Sequence, residues 1–167
     1  ALKKQQIGRS IVSTPSERIF RAHETRVEID VTADKRDLEY IKNDDRITDV
    51  LISSHEDAME NLYQIASIIK QLRMIHHINA VRLRSLKFNY RPEIYTKGVI
   101  DTLGDLNRLT IVNPLRLEIE TQFLHAEDVK PDHKSLTRRL NNKGITVYAN
   151  TPLLGDINDT AAEIHRL

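Results

Sequence analysis

The fold is decided by residues 49–85, which read DVLISSHEDAMENLYQIASIIKQLRMIHHINAVRLRS. The stretch opens with Asp49-Val50-Leu51-Ile52-Ser53, a compact apolar run typical of a strand buried in a parallel sheet. It closes with a second short strand, Val81-Arg82-Leu83-Arg84-Ser85. Between the two strands the pattern predicts a helix with one apolar stripe, formed by Ala58, Leu62, Ile65, Ala66, Ile69, Leu72 and Ile75. Strand, helix and strand in this order predict a βαβ unit with parallel strands.

The same alternation of helices and strands continues on both sides of this unit. Upstream, Asp34 to Lys42 is predicted to form a short helix. Downstream, Leu115 to Phe123 alternates apolar and polar residues, which is the period of a strand. The remaining predicted elements are helices at about 96–106 and 131–142, a strand at 145–149 and a helical start at Thr160, with Lys143-Gly144 ending the second helix.

We divide the chain into an N-terminal extension, residues 1–33, and an α/β segment, residues 34–167. The extension is polar and partly irregular, and only Thr14-Pro15-Ser16-Glu17 suggests a short helix, with Thr14 as its cap. Four parallel strands form either a small open sheet or an arc of a barrel. The two distinct faces of the strand at 115–123 favour the barrel. The predicted fold class is therefore α/β, a partial (β/α) barrel of parallel strands with outer helices.

Charge and composition argue against several classes of function. The chain has 25 Lys and Arg against 24 Asp and Glu, whereas a protein that binds duplex nucleic acid usually shows a basic excess. No apolar run approaches the roughly 20 residues that span a bilayer. The first residues lack the apolar stretch of a secretory signal, so we expect a cytoplasmic protein that binds neither nucleic acid nor membrane. The absence of cysteine leaves no thiolate ligand for a metal.

Candidate functional residues follow the predicted strands, because the site of a parallel α/β fold lies beyond the carboxyl ends of its strands. These positions are 53–57, 85–89, 122–125 and 150–151, and they supply a histidine, carboxylates, hydroxyls, a lysine and two amides. Each also has a structural explanation. Ser53 and Ser54 fit the cap of the following helix, and His125 fits a surface turn.

The usual motifs for phosphates, metals and serine nucleophiles are missing. The sequence has no glycine-rich phosphate loop, no HExxH and no Gly-x-Ser-x-Gly. His76 and His77 are adjacent, so they lie on different sides of a helix end, and the other histidines lack metal-ligand spacing. The sequence therefore predicts no metal site, and we assign no catalytic residue from it.

Four stretches resemble the central barrel part of the lysine 2,3-aminomutase family of radical-SAM proteins; they are residues 44–53, 81–85, 120–125 and 143–159. The first is similar to the segment before the family's Ser-Gly-Gly-Asp motif, and the second to its next strand. The third resembles the Thr-His-Phe-Asn-His strand end. The last is the most specific, because its LLGDIND is similar to the family's Leu-Leu-x-x-x-Asn-Asp loop.

The resemblance implies a [4Fe–4S] cluster, S-adenosylmethionine and pyridoxal phosphate, which together move an amino group of an amino acid by a radical route. In the family a CxxxCxxC loop holds the cluster through three thiolates. This chain has none to offer, so no cofactor is expected in the chain as given. The positions that the resemblance assigns to cofactor binding are Ser53, Glu56, Ser85, His125 and Asn150.

The chain departs from the family pattern near these positions. Ser54 and His55 stand where the family has two glycines, and their Cβ atoms obstruct the approach of the backbone to a cofactor. Glu56 keeps the acidic character of the motif. Other replacements are Leu86 for an arginine, Gln122 for a histidine, Leu124 for an asparagine and Asn150 for a glutamine.

Three functions are compatible with this sequence. The first is a segment of an aminomutase-like enzyme that is inactive alone and whose remaining parts supply the cofactors. The second is a pseudoenzyme that has lost its cofactors and serves as a binding or structural module. The third is an ordinary barrel lyase or isomerase with His125 and Glu56 as acid and base. The expected partner is a small amino acid, and a homo-oligomer is compatible with the sequence.

Overall fold

In the computed structural model a single six-stranded sheet is described, within residues 13–108, 115–155 and 157–166. The strands follow one another across the sheet in chain order. The first strand is antiparallel to the second, and all other neighbours are parallel. The strands are β1 (Ile19–Phe20), β2 (Arg26–Asp30), β3 (Asp49–Ser53), β4 (Ala80–Arg84), β5 (Arg116–Thr121) and β6 (Thr146–Ala149).

In the residues that the structure describes, six helices connect and follow the strands: α1 (Lys35–Lys42), α2 (Leu62–Leu72), α3 (Lys87–Tyr90), α4 (Lys97–Leu106), α5 (Pro131–Asn141) and α6 (Ala161–Arg166). Single turns of 3₁₀ helix lie at Ala58–Asn61, Pro92–Ile94 and Ala126–Asp128. Side-chain hydrogen bonds and a glycine determine where several of the helices begin or end. Asp34 and Thr96 accept amide hydrogen bonds at the start of α1 and α4. Gly144, with φ +73°, turns the chain after α5.

The predicted strand order is confirmed, because β3, β4, β5 and β6 are parallel neighbours in sequence order. The barrel is not confirmed, since the sheet is open: in the described residues β6 pairs with β5 alone. Two strands that we did not predict, β1 and β2, extend the sheet before residue 34. The predicted helix at Thr14–Glu17 is wrong, because this segment forms bends and a turn that lead into β1.

The hydrophobic core lies on one face of the sheet. Alternate strand residues enter it, and they are Val27, Ile29, Val50, Ile52, Val81, Leu83, Leu117 and Ile119. Helices α1, α2, α4 and α5 pack their apolar stripes against this same face, for example through Ile41, Ile69, Leu103 and Leu140. The predicted stripe of α2 is confirmed, although Leu62 and Ala66 are only half-buried. The helices therefore form one layer and the sheet another.

The opposite face of the sheet is charged. Glu28, Leu51, Arg82 and Glu118 stand side by side in the register of β2 to β5. Leu51 is buried yet does not belong to the core cluster, as expected for a side chain on this second face. Period-two alternation thus separates an apolar helix-covered face from a charged one.

A carboxylate fixes the start of α1. Asp37 is buried and belongs to a capping box, in which its side chain accepts from the Asp34 amide at 3.0 Å. It also accepts from Ser16 Oγ at 2.6 Å and from Arg18 Nε at 2.7 Å. Arg18 immediately precedes β1, so this carboxylate ties the edge of the sheet to the first helix.

The two edges of the sheet differ. At one edge the two residues of β1 run antiparallel along β2. At the other edge β6 consists of Thr146, Val147, Tyr148 and Ala149, with no charged residue and no proline. Among the described residues, no helix is both long enough and apolar enough to span a membrane.

Candidate functional site

The carboxyl ends of the parallel strands are the expected place for a site, and the five residues predicted to bind cofactors lie there at different depths. Ser53 ends β3 and is buried, while Ser85 directly follows β4 and is completely buried. Asn150 follows β6 and is exposed. Glu56 is exposed in the loop after β3, and His125 is half-buried after β5. The role of these residues in cofactor binding stays a prediction.

The loop after β3 is organised by Asp57 rather than by the serines. Asp57 accepts from the amide of Met59 at 2.9 Å and from the amide of Lys87 at 3.0 Å, so it caps the 3₁₀ turn and holds the start of α3. Ser54 Oγ accepts from Asn61 Nδ2 at 3.0 Å. Glu56 makes no hydrogen bond or ion pair within the described part of the chain. Its carboxylate is therefore available to solvent or to a ligand.

Below these loops lie three buried hydroxyl groups that lack a hydrogen-bond partner among the described residues; they belong to Ser85, Tyr95 and Thr121. Burial raises the pKa of Tyr95, and the carboxylate of Asp57 adds to that rise. The neighbouring Ser85 hydroxyl acts in the opposite direction and lowers the pKa of Tyr95, but the effect of burial outweighs it. The phenol therefore stays neutral and polar at the top of the core.

Two histidines at this end of the sheet, His125 and His133, have structural roles. His125 caps the 3₁₀ turn at 126–128, its Nδ1 accepting from the Glu127 amide at 3.2 Å. His133 is buried at the start of α5, where Nδ1 accepts from the Lys130 amide at 2.9 Å and Nε2 lies 2.7 Å from the Asn89 carbonyl oxygen. His133 also lines an open cleft of about 290 Å³ beside α5. Because both of its ring nitrogens are engaged, this imidazole is not free to bind a ligand in that cleft.

An ion-pair cluster of Glu28, Arg82, Arg84, Glu118 and Glu120 covers the charged face of the sheet. Arg84 links β5 to β2, because its Nε donates to Glu120 Oε1 at 2.9 Å and its Nη1 to Glu28 Oε1 at 2.8 Å. Arg82 donates through Nε and Nη2 to Glu118 Oε2 at 3.0 and 2.8 Å. The ring of Tyr148 lies 4.4 Å from the Arg82 guanidinium carbon.

The sequence analysis missed this cluster, although a signal was present. Arg82 and Arg84 alternate with apolar residues in one strand, and Glu118 and Glu120 do so in the next. Opposite charges at matching positions of neighbouring strands favour cross-strand pairs. Burial alone would lower the pKa of Arg84, but the carboxylates of Glu28 and Glu120 outweigh it and raise the pKa. The guanidinium therefore stays charged within this face.

A small cavity of about 30 Å³ opens where this cluster meets the strand ends, and we call it the strand-end cavity. It is lined by Arg84, Leu86, Glu120, Thr121, Gln122 and Asn150. Of the five predicted residues only Asn150 is in this lining; Ser53, Glu56, Ser85 and His125 are not. The structure thus brings Asn150 together with charged residues that the sequence analysis left unassigned.

The residues of this chain do not fit an iron–sulfur cluster. Such a cluster needs several thiolate ligands, and the sequence contains no cysteine. Among the described residues, no group of three or more His, Asp or Glu side chains is arranged to hold a metal ion. Lys87, which lies just beyond β4, is paired with Glu60. No step of chemistry through a cluster is therefore assigned to this chain.

The chain is similar to several curated proteins that share a name. No protein-family model matches the chain. L-lysine 2,3-aminomutase of Fusobacterium nucleatum is 29% identical over 130 residues, covering 78% of this chain and 29% of that protein. A putative L-lysine 2,3-aminomutase of Aquifex aeolicus is 31% identical over 146 residues, covering 85% of this chain and 36% of that protein.

The similarity reaches almost the whole chain in one relative. L-lysine 2,3-aminomutase of Clostridium subterminale is 25% identical over 157 residues, covering 94% of this chain and 32% of that protein. The chain spans about a third of the length of the curated relatives it matches. The chain is therefore related to the lysine 2,3-aminomutase family, of which it corresponds to a partial region.

Proposed function

We propose that the chain is part of a cytoplasmic aminomutase-like enzyme that moves an amino group within an amino acid. One observation carries this proposal: relatives named L-lysine 2,3-aminomutase match between 73% and 94% of the chain. The fold supports it, because an open parallel sheet leaves its strand ends accessible to a small substrate.

The sheet in this proposal is an arc of a (β/α) barrel with the helices outside. The helices α1, α2, α4 and α5 all pack on one face, as the outer ring of such a barrel requires. The ion-pair cluster then lies on the inner face. The carboxyl ends of the strands, with Asp57, Glu56 and the strand-end cavity, form the rim where the substrate binds.

The cofactors of the proposed reaction are the [4Fe–4S] cluster, S-adenosylmethionine and pyridoxal phosphate that the resemblance implies. Iron in such a cluster is held by thiolates, which His and carboxylate side chains do not replace at comparable affinity. The cysteines would therefore have to come from residues that this sequence does not contain. In this proposal the chain contributes the sheet and the rim where the substrate binds, and the chain alone is inactive.

The test is anaerobic reconstitution with iron and sulfide, carried out on this chain and on the complete product of its gene. The chain alone is expected to show no charge-transfer absorption and no cleavage of S-adenosylmethionine. The complete product is expected to bind the cluster and to move an amino group of L-lysine or a related amino acid, followed by mass spectrometry. Stoichiometric iron with cleavage on the chain alone would overturn the ligand argument. A complete product without cluster or amino-group migration would overturn the proposed function.

A further inference from the structure

The segments that follow β3, β4, β5 and β6 are fastened to one another by side chains that bond to backbone. We call them the loop layer; they are residues 54–61, 86–96, 122–133, 150–155 and 157–160. Asp57 joins the first segment to the second, because its carboxylate accepts from the amides of Met59 at 2.9 Å and Lys87 at 3.0 Å. Asn89 joins the second segment to the third, since its Nδ2 donates to the Gln122 carbonyl oxygen at 2.9 Å.

The segments after β5 and β6 are joined in the same way. Asn158 is completely buried, and its Nδ2 donates to the carbonyl oxygens of Leu124 at 2.7 Å and Pro152 at 3.0 Å. Its Oδ1 accepts from the Leu154 amide at 2.7 Å. Each segment of the loop layer is therefore hydrogen-bonded to the next, in the order in which the strands lie in the sheet.

An aromatic cluster packs the middle of the loop layer together. Phe88 and Phe123 come from the segments after β4 and β5, and their ring centroids are 6.4 Å apart. The buried ring of His133 lies 6.1 Å from the centroid of Phe88 and 5.2 Å from that of Phe123. Its Nε2 also lies 2.7 Å from the Asn89 carbonyl oxygen. These contacts run between neighbouring segments, so a movement of one segment disturbs the others.

A row of buried hydroxyls separates the loop layer from the sheet beneath it. The hydroxyls of Ser85, Tyr95 and Thr121 lack a hydrogen-bond partner among the described residues. Ser85 and Thr121 lie side by side, because β4 and β5 pair Arg84 with Glu120 one residue earlier. The phenol of Tyr95 comes from the loop layer and neighbours the Ser85 hydroxyl. A buried polar group without a partner is unfavourable relative to a hydrated one, so opening at this row recovers hydrogen bonds with solvent.

We propose that the loop layer opens and closes as one body over the ends of the strands, and that it separates from the sheet at the row of buried hydroxyls. A disturbance of the segment after β3 then reaches the segment after β6 through the links of the layer. In the proposed function the rim belongs to this layer, so all parts of the rim open to solvent together. Only this last consequence rests on the proposed function.

The first test is native-state hydrogen exchange of the full chain, followed by NMR under conditions in which the rate reports the opening equilibrium. It compares the amides that donate to side chains of the layer, which are those of Met59, Lys87, Lys130 and Leu154. Their protection factors are expected to agree within about threefold and to lie at least about tenfold below those of β3, β4 and β5. A wider spread, or protection equal to that of the strands, would overturn the inference.

A substitution at one end of the layer tests whether the other end responds. Asn158→Ala removes three hydrogen bonds and is expected to speed exchange of the Met59 and Lys87 amides, which bond to Asp57, at least about tenfold. Asp57→Asn keeps the shape of its side chain and applies the test in the other direction, where exchange of the Leu154 amide is expected to rise at least about threefold. Effects confined to the amides that bond to the replaced side chain would refute the coupling.

The matched control is Asn107→Ala, which removes a buried asparagine that bonds to backbone at the opposite end of the sheet. Asn107 Nδ2 donates to the Lys143 carbonyl oxygen at 2.9 Å, and its Oδ1 accepts from the Leu117 amide at 2.7 Å. This variant is expected to leave exchange in the loop layer unchanged. Equal acceleration by Asn107→Ala and Asn158→Ala would mean that the layer opens only when the whole fold does, and the inference would be wrong. These measurements need no activity, so their failure is distinct from a failure of the proposed function.

Discussion

Replacing Asp37 by asparagine tests the carboxylate that joins the edge of the sheet to α1. The substitution keeps the shape of the side chain but removes its charge and one of its two acceptor oxygens. Asp37 is buried and accepts from Ser16 Oγ, Arg18 Nε and the Asp34 amide at 2.6, 2.7 and 3.0 Å. An asparagine oxygen retains part of this set, and its NH₂ group then faces a donor.

The expected loss follows from these bonds. A hydrogen bond to a charged group contributes about 1.5–3 kcal/mol, and the bond from Arg18 counts for less because that side chain is 38% exposed. We expect Asp37→Asn to lower the free energy of unfolding by about 2–3 kcal/mol. For a chain of this length that corresponds to a fall in Tm of roughly 5–10 °C. Asp105→Asn, at an ion pair whose carboxylate is 73% exposed, is the matched control and changes little.

The effect of Asp37→Asn depends on pH with a defined sign. Burial alone would raise the pKa of Asp37, but hydrogen bonds from Ser16, the Asp34 amide and Arg18 outweigh it and lower the pKa below its ordinary value of 3.8. Folding therefore favours the ionised form. Its contribution is complete above pH 3.8 and is lost as the pH falls through the folded-state pKa. Urea unfolding from pH 7 to pH 3 measures the difference between the two proteins. A difference of zero at pH 7, or one that grows as the pH falls below 3.8, would refute this reasoning.

Two further substitutions probe the core and a turn. Ile69→Ala, at a fully buried position of α2, should lower the free energy of unfolding by about 2–5 kcal/mol in a thermal or urea experiment. Tyr63→Ala, on the exposed face of the same helix, is the control and should lower it by less than about 0.5 kcal/mol. Equal losses in the two variants would mean that the buried face is misassigned. Gly144→Ala should cost about 1 kcal/mol or more, because φ is +73° and the added Cβ lies 3.2 Å from Asn107 Nδ2. Gly155→Ala, where no atom lies within 4 Å of the new Cβ, is its control, and a stable Gly144→Ala protein would contradict the strain.

The central part of the fold could be predicted because its periodicity is unambiguous. The helix from Leu62 to Leu72 carries a stripe at spacings of three and four, and β3, β4 and β5 follow the buried or alternating pattern of strands. Turn chemistry placed the ends of α4 and α5 at Thr96 and Gly144. These signals are local, so a single sequence contains them.

The first two strands were missed because their local signal is weak. Strand β1 has two residues, and β2 has only the two apolar residues Val27 and Ile29 among charged neighbours. Their conformation is set by pairing with the sheet, with β2 beside β3, and not by their own sequence. The open sheet has a similar explanation, since closure depends on strand tilt and stagger, which alternation does not specify.

Much of the candidate site depends on contacts between distant residues. Glu28 and Arg84 are 56 residues apart and meet only because β2 and β4 flank β3. The sequence indicates which face each side chain takes but not which strand lies beside it. Asp57 illustrates the same limit, because its second acceptor bond comes from Lys87 at the start of α3. Asn150 was predicted from its place directly after a strand, and this rule needs no knowledge of which residues lie beside it in the fold.

The different edges of the sheet have a consequence for handling the chain in solution. Within the described part of the chain the outer edge of β6 is unpaired. This edge is four residues long, uncharged and free of proline, and its Tyr148 is 41% exposed. Such an edge is a template for intermolecular strand addition. The opposite edge ends in the short antiparallel strand β1, which has few free backbone groups to pair with a strand of another molecule. Self-association of the isolated chain should therefore start at β6 and rise with protein concentration. Thr146→Lys, at the exposed first residue of β6, places a charge on that edge and should reduce the self-association.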